Sequence, residues 1–493
     1  MLAYEGSVPG PTLVVRQGAH LSVLVTNATD LETTVHWHGL RVDNQFDGVP
    51  HETQQPIGPA ESFTYRLDFP DPGLYWYHPH VREDYTQEMG LYGTVLVRPT
   101  QADYWPPVHR DVVLALDDVL IEDGAIAPFD RSQVTHAAMG RFGNVFLVNG
   151  ETEPALAVRA GEVVRLWLVN TANARVFDVR LPGARMKLVG GDGGRVEHEE
   201  FVDSVLVAPS ERAVVDVMFP EPGALPLEHR TPDRSYPLGR VTVTEEPAEP
   251  SLRDSFETLR TDPQLAVERE QLQGWLDARP DKVLAAVAEM DDVAGTASMS
   301  HDMSSMRRPE STGDGHGHVH GGVDGIEWED DMAAVNRRTT PANTRWTLRD
   351  RTSGGTGSPV EWNFAVGERV KIRLVNEMDS DHPMHHPFHV HGAGRFLVLA
   401  RDGVPEPNLV WKDTVLLRAG QTVDILFSAT NPGFWMAHCH IPRAHAQRHD
   451  VPLHGRCSGV NADVVTGGGR RSTRTSDAVH DGRARRRDRW SAP

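Results

Sequence analysis

Four short clusters stand out by residue type and spacing: His36-Trp37-His38, His78-Pro79-His80, His386-Pro387-Phe388-His389-Val390-His391 and His438-Cys439-His440. Along a strand, residues two apart point to the same face, so each His-x-His presents two imidazoles side by side, half of a metal site. One such pair alone reads as the polar face of a strand; four at matching places read as a ligand set. The last cluster says most. The alternation that sends His438 and His440 to one face sends the Cys439 thiolate to the other, so one strand can serve two metal sites. A thiolate with imidazoles suits copper, and one Cys with two His and a weak axial ligand is the blue-copper electron-transfer arrangement. The plainer reading of Cys439 is a small buried core residue.

Composition narrows the field. The chain carries 25 histidines but only two cysteines, Cys439 and Cys457, so imidazole chemistry and not a disulfide framework has to explain its make-up. Lys plus Arg number 49 against 69 for Asp plus Glu, a net charge of -20 that opposes nucleic-acid and anionic-membrane binding. No run of about 18 apolar residues is present to span a bilayer. A length of 493 residues leaves room for several domains.

The elements that must position the clusters are visible as repeats. A Gly-to-Asn interval of nine residues occurs three times: Gly18 to Asn27 around LSVLVTN, Gly161 to Asn170 around VVRLWLVN, and Gly367 to Asn376 around VKIRLVN. The apolar alternation inside each is that of a strand with one buried face. Downstream lies a second repeated unit: FTYRLDFPDPGLYWYHPH (63–80), RAVVDVMFPEPGALPLEHR (212–230) and QTVDILFSATNPGFWMAHCH (421–440). Five residues after its Pro-Gly stand His78, Glu228 and His438, so the middle copy has EHR where the outer copies have HPH and HCH. Three such units predict an all-β chain of three tandem sandwiches or barrels. The expected domains are residues 1–100, 108–246 and 341–450. A linker over 251–340 carries helix-favouring runs in 251–292 and a Met/His-rich segment: Met299, His301, Met303, Met306, His316, His318 and His320. That segment is a candidate soft-ligand sink for copper, or a flexible linker of no special affinity. Residues 456–493 are Arg- and Gly-rich and read as a disordered tail.

The clusters, with HWHGL (36–40), HPFHVHG (386–392), PGP (9–11), DGVP (47–50) and GLYG (90–93), resemble the three-domain multicopper oxidases, the family of laccases and bacterial cuprous oxidases. The resemblance spans about residues 4–441. It implies Greek-key cupredoxin domains with a trinuclear copper cluster between the first and third. His36 and His389 would hold the type 2 copper; His38, His78, His80, His391, His438 and His440 the type 3 pair; His386 and Cys439 the type 1 copper. Four coppers would collect one-electron equivalents from cuprous ion or a small aromatic reductant and deliver four to dioxygen, with Cys439, His438 and His440 as the path between sites. It also implies a monomer working in the periplasm, cell envelope or medium. His382 and His385 form an HPxH phrase, but Pro387 occupies the slot of a third ligand, so they are taken as neighbours. Glu83 and Asp84, just past HPH, are placed to serve a proton relay but read as solvated loop acids.

The sequence departs from the family after HCHI. The places of the second type 1 histidine and the axial methionine hold Ala444 and His449, and His445 sits one residue late as a displaced third ligand. Read one base later with suitable codons, RHDVPLHG (448–455) yields Gly-Met-Met-Phe-His-Phe-Thr, so a reading-frame slip near residue 442 is expected; the alternative is a naturally divergent tail. At the other end, an earlier strand and an export signal are expected to be missing. Two rival functions follow: a copper-binding protein without turnover, disabled at the type 1 site or acting through 299–320, and a copper nitrite reductase. The second is the weaker, because histidines on both sides of Cys439 point to a trinuclear cluster.

Overall fold

In a computed structural model that describes residues 1–290, 324–352, 360, 362–378 and 384–441, the two repeated units pair with each other in all three copies. His20–Thr26 runs antiparallel to Ser62–Asp68, Val163–Asn170 to Arg212–Met218, and Arg369–Asn376 to Thr422–Ala429. The Gly-to-Asn interval has a physical reason at each end. Gly18, Gly161 and Gly367 turn into the strand at φ of 78°, 76° and 91°, a left-handed conformation that favours glycine. The asparagine closes the loop beyond. Asn27 Nδ2 donates to the Leu31 and Ile57 carbonyls, Asn170 Nδ2 to Arg175 and Val207, and Asn376 Nδ2 to Met384 and Arg418. The last of these ties down the chain just before His386.

Each copy becomes a β-sandwich of the expected all-β cupredoxin class. The first packs a four-stranded sheet, ordered Gly10–Arg16, Gly93–Arg98, Gly73–His78, His36–His38, with the His20–Thr26/Ser62–Asp68 pair around Trp37, Tyr65, Tyr77 and Val95. The middle joins sheets of six and five strands around Leu166, Phe177, Val215 and Phe219. The third joins a six-stranded sheet to the three strands Thr414–Leu417, His386–Val390 and Ala437–Cys439 around Ile372, Phe396, Ile425 and Phe427.

The stretch expected as a linker is only partly one. A helix does span Pro263–Leu276, capped by Asp262, whose carboxylate accepts from the Gln264 and Leu265 amides. Lys282–Met290, however, is a strand of the third sandwich, parallel to Arg369–Asn376 and antiparallel to Thr344–Asp350. Its alanine-rich run favours a helix locally, but a strand between two partners buries both faces, and that packing overrides propensity. Residues 299–320, His382, His445 and the tail 456–493 lie outside the described residues.

Candidate metal centre

Two antiparallel strand pairs bring the clusters into one place. His36–His38 pairs antiparallel with Gly73–His78, which sets His36 opposite His78. His386–Val390 pairs antiparallel with Ala437–Cys439, which sets His389 opposite His438 and Phe388 opposite Cys439. The first and third sandwiches thus meet at His36, His38, His78, His80, His389, His391, His438 and His440, all buried.

These imidazoles form one continuous cluster, whose closest ring pairs are His38 with His389 at 3.7 Å and His36 with His391 at 4.0 Å. His38, His78 and His440 have ring centroids 4.8 to 5.8 Å apart, and His80, His391 and His438 lie 5.0 to 5.5 Å apart. The His36 and His389 rings stand edge-on, with centroids 5.7 Å apart. The potential ligand atoms of His80, His391 and His438 fall within 4.8 Å of one another, as do those of His36, His389 and His391. His391 Nε2 and His438 Nε2 are 2.8 Å apart.

Cys439 faces the other way. Its Sγ lies 3.3 Å from His386 Nδ1, in an apolar nest with Met139, Phe142, Trp346, Met384 and Ile441, and the Trp346 ring stands edge-on to His386 at 4.7 Å. The ten described residues expected as ligands therefore form one group of eight and one pair. His385 is engaged elsewhere: Nδ1 accepts from the Glu327 amide at 3.1 Å and Nε2 donates to the Ala174 carbonyl at 3.2 Å.

The outer ring nitrogens are held by a second layer that fixes each tautomer. His36 Nδ1 donates to the Asp47 carbonyl (2.7 Å), His391 Nδ1 to the Asp47 carboxylate (2.8 Å) and His389 Nδ1 to the Asp413 carbonyl (3.0 Å). His38 Nε2 donates to Thr414 Oγ1 at 3.0 Å and lies 3.2 Å from the Asp413 carboxylate. His78 and His438 use the carbonyls of Pro79 and Cys439. His80 Nδ1 lies 3.0 Å from a Glu83 carboxylate oxygen, with both side chains buried. Glu83 and Asp84 are therefore not the solvated loop acids expected: Glu83 backs His80, and Asp84 is a mostly buried partner of Arg82.

Electrostatics favour neutral rings at His38, His389 and His440; at His36 burial also opposes the charge, but the neighbouring Asp47 outweighs it and raises that imidazole above its ordinary value. Burial, reinforced by neighbouring imidazoles, pushes His38 and His440 well below the ordinary histidine value and lowers His389. Burial works against the charge on Asp413 too, yet the Arg212 guanidinium holds that carboxyl well below its usual range. Four inner nitrogens, His36 Nε2, His38 Nδ1, His389 Nε2 and His440 Nε2, are buried with no hydrogen-bond partner among the described residues. Orphaned lone pairs cost stability, whereas neutral imidazoles converging without protons are what copper takes as ligands. The residues fit the metal.

Sequence reasoning missed the second layer: Asp47, Asp413, Thr414 and Arg212. Asp47 stood inside the quoted DGVP motif without a role; Arg212 and Asp413 are far from any cluster in sequence.

Three multicopper oxidase family models match residues 1–102, 101–223 and 329–449. The multicopper oxidase MmcO of Mycobacterium tuberculosis is 28% identical over 472 residues, covering 89% of this chain and 80% of that protein. A copper resistance protein A homolog of Pseudomonas syringae pv. tomato is 24% identical, over 89% of this chain and 86% of that protein. Among solved structures, a multi-copper oxidase from Pseudomonas Thermotolerans aligns with a TM-score of 0.61 at 25% identity over 91% of each chain. Lac15 from a marine microbial metagenome aligns with a TM-score of 0.58 at 28% identity, over 89% of this chain and 90% of that one.

Proposed function

The chain belongs to the multicopper oxidase family and is a copper-dependent oxidoreductase; from that premise we propose that it couples one-electron oxidation of cuprous ion or a phenolic donor to four-electron reduction of dioxygen to water. The observation that supports this reading is the convergence of eight buried imidazoles on one side of a strand whose Cys439 meets His386 on the other. Copper held by these residues would supply the electron storage that a four-electron reduction needs from one-electron donors. In the proposed assignment His36 and His389 hold the type 2 ion. His38, His78 and His440 hold one member of the type 3 pair and His80, His391 and His438 the other. His386 and Cys439 hold the type 1 ion, with His445 the candidate third ligand.

The chain's own contribution is geometric and electrostatic. Cys439 is joined by single peptide units to His438 and His440, one in each trio, so the covalent path from Sγ to the cluster is as short as a strand allows. Asp47 and Glu83 orient His391 and His80 and keep a proton on each outer nitrogen. The burial of the whole group excludes bulk water from the reducing end.

Cuprous ion is the favoured donor. Met139 and Met384 are buried beside Cys439, with Met290 and Met332 packed against the same cluster, and thioethers are soft ligands suited to Cu(I). A role in copper tolerance follows, in the cell envelope or outside it, in keeping with a relative named for copper resistance.

A second reading, copper binding without turnover, is favoured by one observation: Ala444 and His449 stand in the sequence where the family has its second type 1 histidine and axial methionine. Copper analysis combined with oxygen uptake, using cuprous ion and a phenolic dye, separates the two. Four coppers with uptake support the oxidase; four coppers without it support the binder.

A further inference from the structure

We propose that Arg212, at the start of the strand Arg212–Met218 in the middle sandwich, is a positioning residue for the histidine centre, although that sandwich contributes none of the proposed copper ligands. The inference rests on the copper-centre reading above. Arg212 is fully buried, and all five of its N–H donors are used. Nε donates to the Leu74 carbonyl of the first sandwich at 3.1 Å. Nη1 donates to the Ser210 carbonyl at 3.0 Å and to Asp413 Oδ1 at 2.7 Å; Nη2 donates to the Asp192 carbonyl at 3.2 Å and to Asp413 Oδ2. One side chain therefore clamps the first, middle and third sandwiches together beneath the histidines.

The clamp has a defined output. Asp413, gripped bidentately, accepts from Thr414 Oγ1 at 2.9 Å and lies 3.2 Å from His38 Nε2, while its backbone carbonyl takes the His389 Nδ1 proton at 3.0 Å. Thr414 Oγ1 also lies 3.1 Å from His389 Nδ1. The two rings positioned this way supply two of the four inner nitrogens, His38 Nδ1 and His389 Nε2, that have no partner among the described residues. Gly39, following His38 at φ 83°, makes the approach possible. A Cβ there would come within 2.6 Å of Asp413 Oδ2 and 2.7 Å of Arg212 Nη2. The surrounding charges are Asp192, Glu211 and Lys412, and Lys412 Nζ pairs with both acids at 3.0 and 3.2 Å. They leave the fork geometry, which lysine cannot reproduce, as the specific contribution of Arg212.

Arg165 supplies the control. It is an equally buried arginine on the neighbouring strand, bidentate to Asp216 at 2.7 and 2.9 Å, and contacts none of the histidines. The test compares wild type, Arg212→Lys, Arg165→Lys and Thr414→Val in the full chain loaded with copper. The readouts are copper retained against a chelator, the paramagnetic-resonance signature of the type 2 ion, and Tm. Arg212→Lys is expected to lower retention roughly 10- to 100-fold and alter the resonance signature, while Arg165→Lys loses comparable Tm without either change. If Arg212→Lys does not fold, Thr414→Val carries the same expectation in milder form. Wild-type retention and signature in Arg212→Lys, or in Thr414→Val where it alone folds, would overturn the inference. A wild type that binds no copper would instead overturn the function on which it rests.

Discussion

His391 and Asp47, 344 residues apart, meet through a 2.8 Å hydrogen bond from Nδ1 to Oδ2, with both side chains fully buried. The same aspartate's carbonyl accepts from His36 Nδ1, so one residue of the first sandwich fixes an imidazole from each of the two copies that form the centre. Asp47→Asn keeps the shape but replaces an anion with an amide. Outer carboxylates of this kind are worth about 10- to 100-fold in metal affinity or activity, and a loss of that size in oxygen uptake, with Tm changed by only a few degrees, is the expected outcome. Oxygen-electrode rates and copper content at matched protein concentration check it. Unchanged values for both would mean that the carboxylate is structural.

Cys439→Ser separates the two faces of one strand. The side chain is buried in the nest of Met139, Met384 and Trp346, and serine is close to it in size, so the fold should survive. The thiolate-to-copper absorption and one copper per chain should disappear while the copper bound by the eight histidines stays. Metal analysis and visible absorption read this directly; release of all the copper would show that the two sites assemble as a unit.

The fold and the convergence of the histidine clusters were legible because both rest on short-range periodicity. The Gly-to-Asn intervals became paired strands, and His-x-His alternation put the imidazoles of His36, His38, His438 and His440 on one side with Cys439 on the other. What could not be read is the layer held by contacts between sandwiches. Asp413 sits in a stretch with no motif of its own, and Arg212, 201 positions before it, opens the repeated unit 212–230, whose strand alternation says nothing of a partner in another sandwich. Glu83 was misjudged for a related reason: a polar run after HPH looks like a solvated loop, whereas packing buries it against His80. Lys282–Met290 has a helix-like composition, and only its two sheet partners make it a strand.

Gly48→Ala tests the turn that presents Asp47. Gly48 has φ 85°, and a Cβ there would lie 2.1 Å from the Val35 carbonyl oxygen, so the backbone has to move at the residue that holds His36 and His391. The expected cost is about 1–3 kcal/mol, seen as a lower Tm, together with weaker copper retention. Gly124 has a similar φ of 79° but no atom within 4 Å, so Gly124→Ala should cost less stability and retain copper normally. Equal copper retention in the two variants would sever the link between this turn and the site.

Glu88 should make stability fall as pH rises. Burial, which outweighs the Arg141 guanidinium 3.3 Å away, pushes its carboxyl from an ordinary 4.5 up to about 8. The folded state thus binds the proton more tightly than the unfolded chain. The resulting stabilisation is fully present below about pH 4.5 and is lost progressively as pH rises towards 8. At the linkage rate for a shift of this size the change is on the order of 3–5 kcal/mol across that window. Glu88→Gln can keep the hydrogen bond from Asn173 Nδ2, 2.9 Å long in the wild type, without a titrating proton. Denaturant unfolding of both proteins at about pH 5 and about pH 9 should show the wild type losing more stability than the variant over that rise. Parallel losses would place the Glu88 carboxyl at its ordinary value, ionised and fully balanced by Arg141.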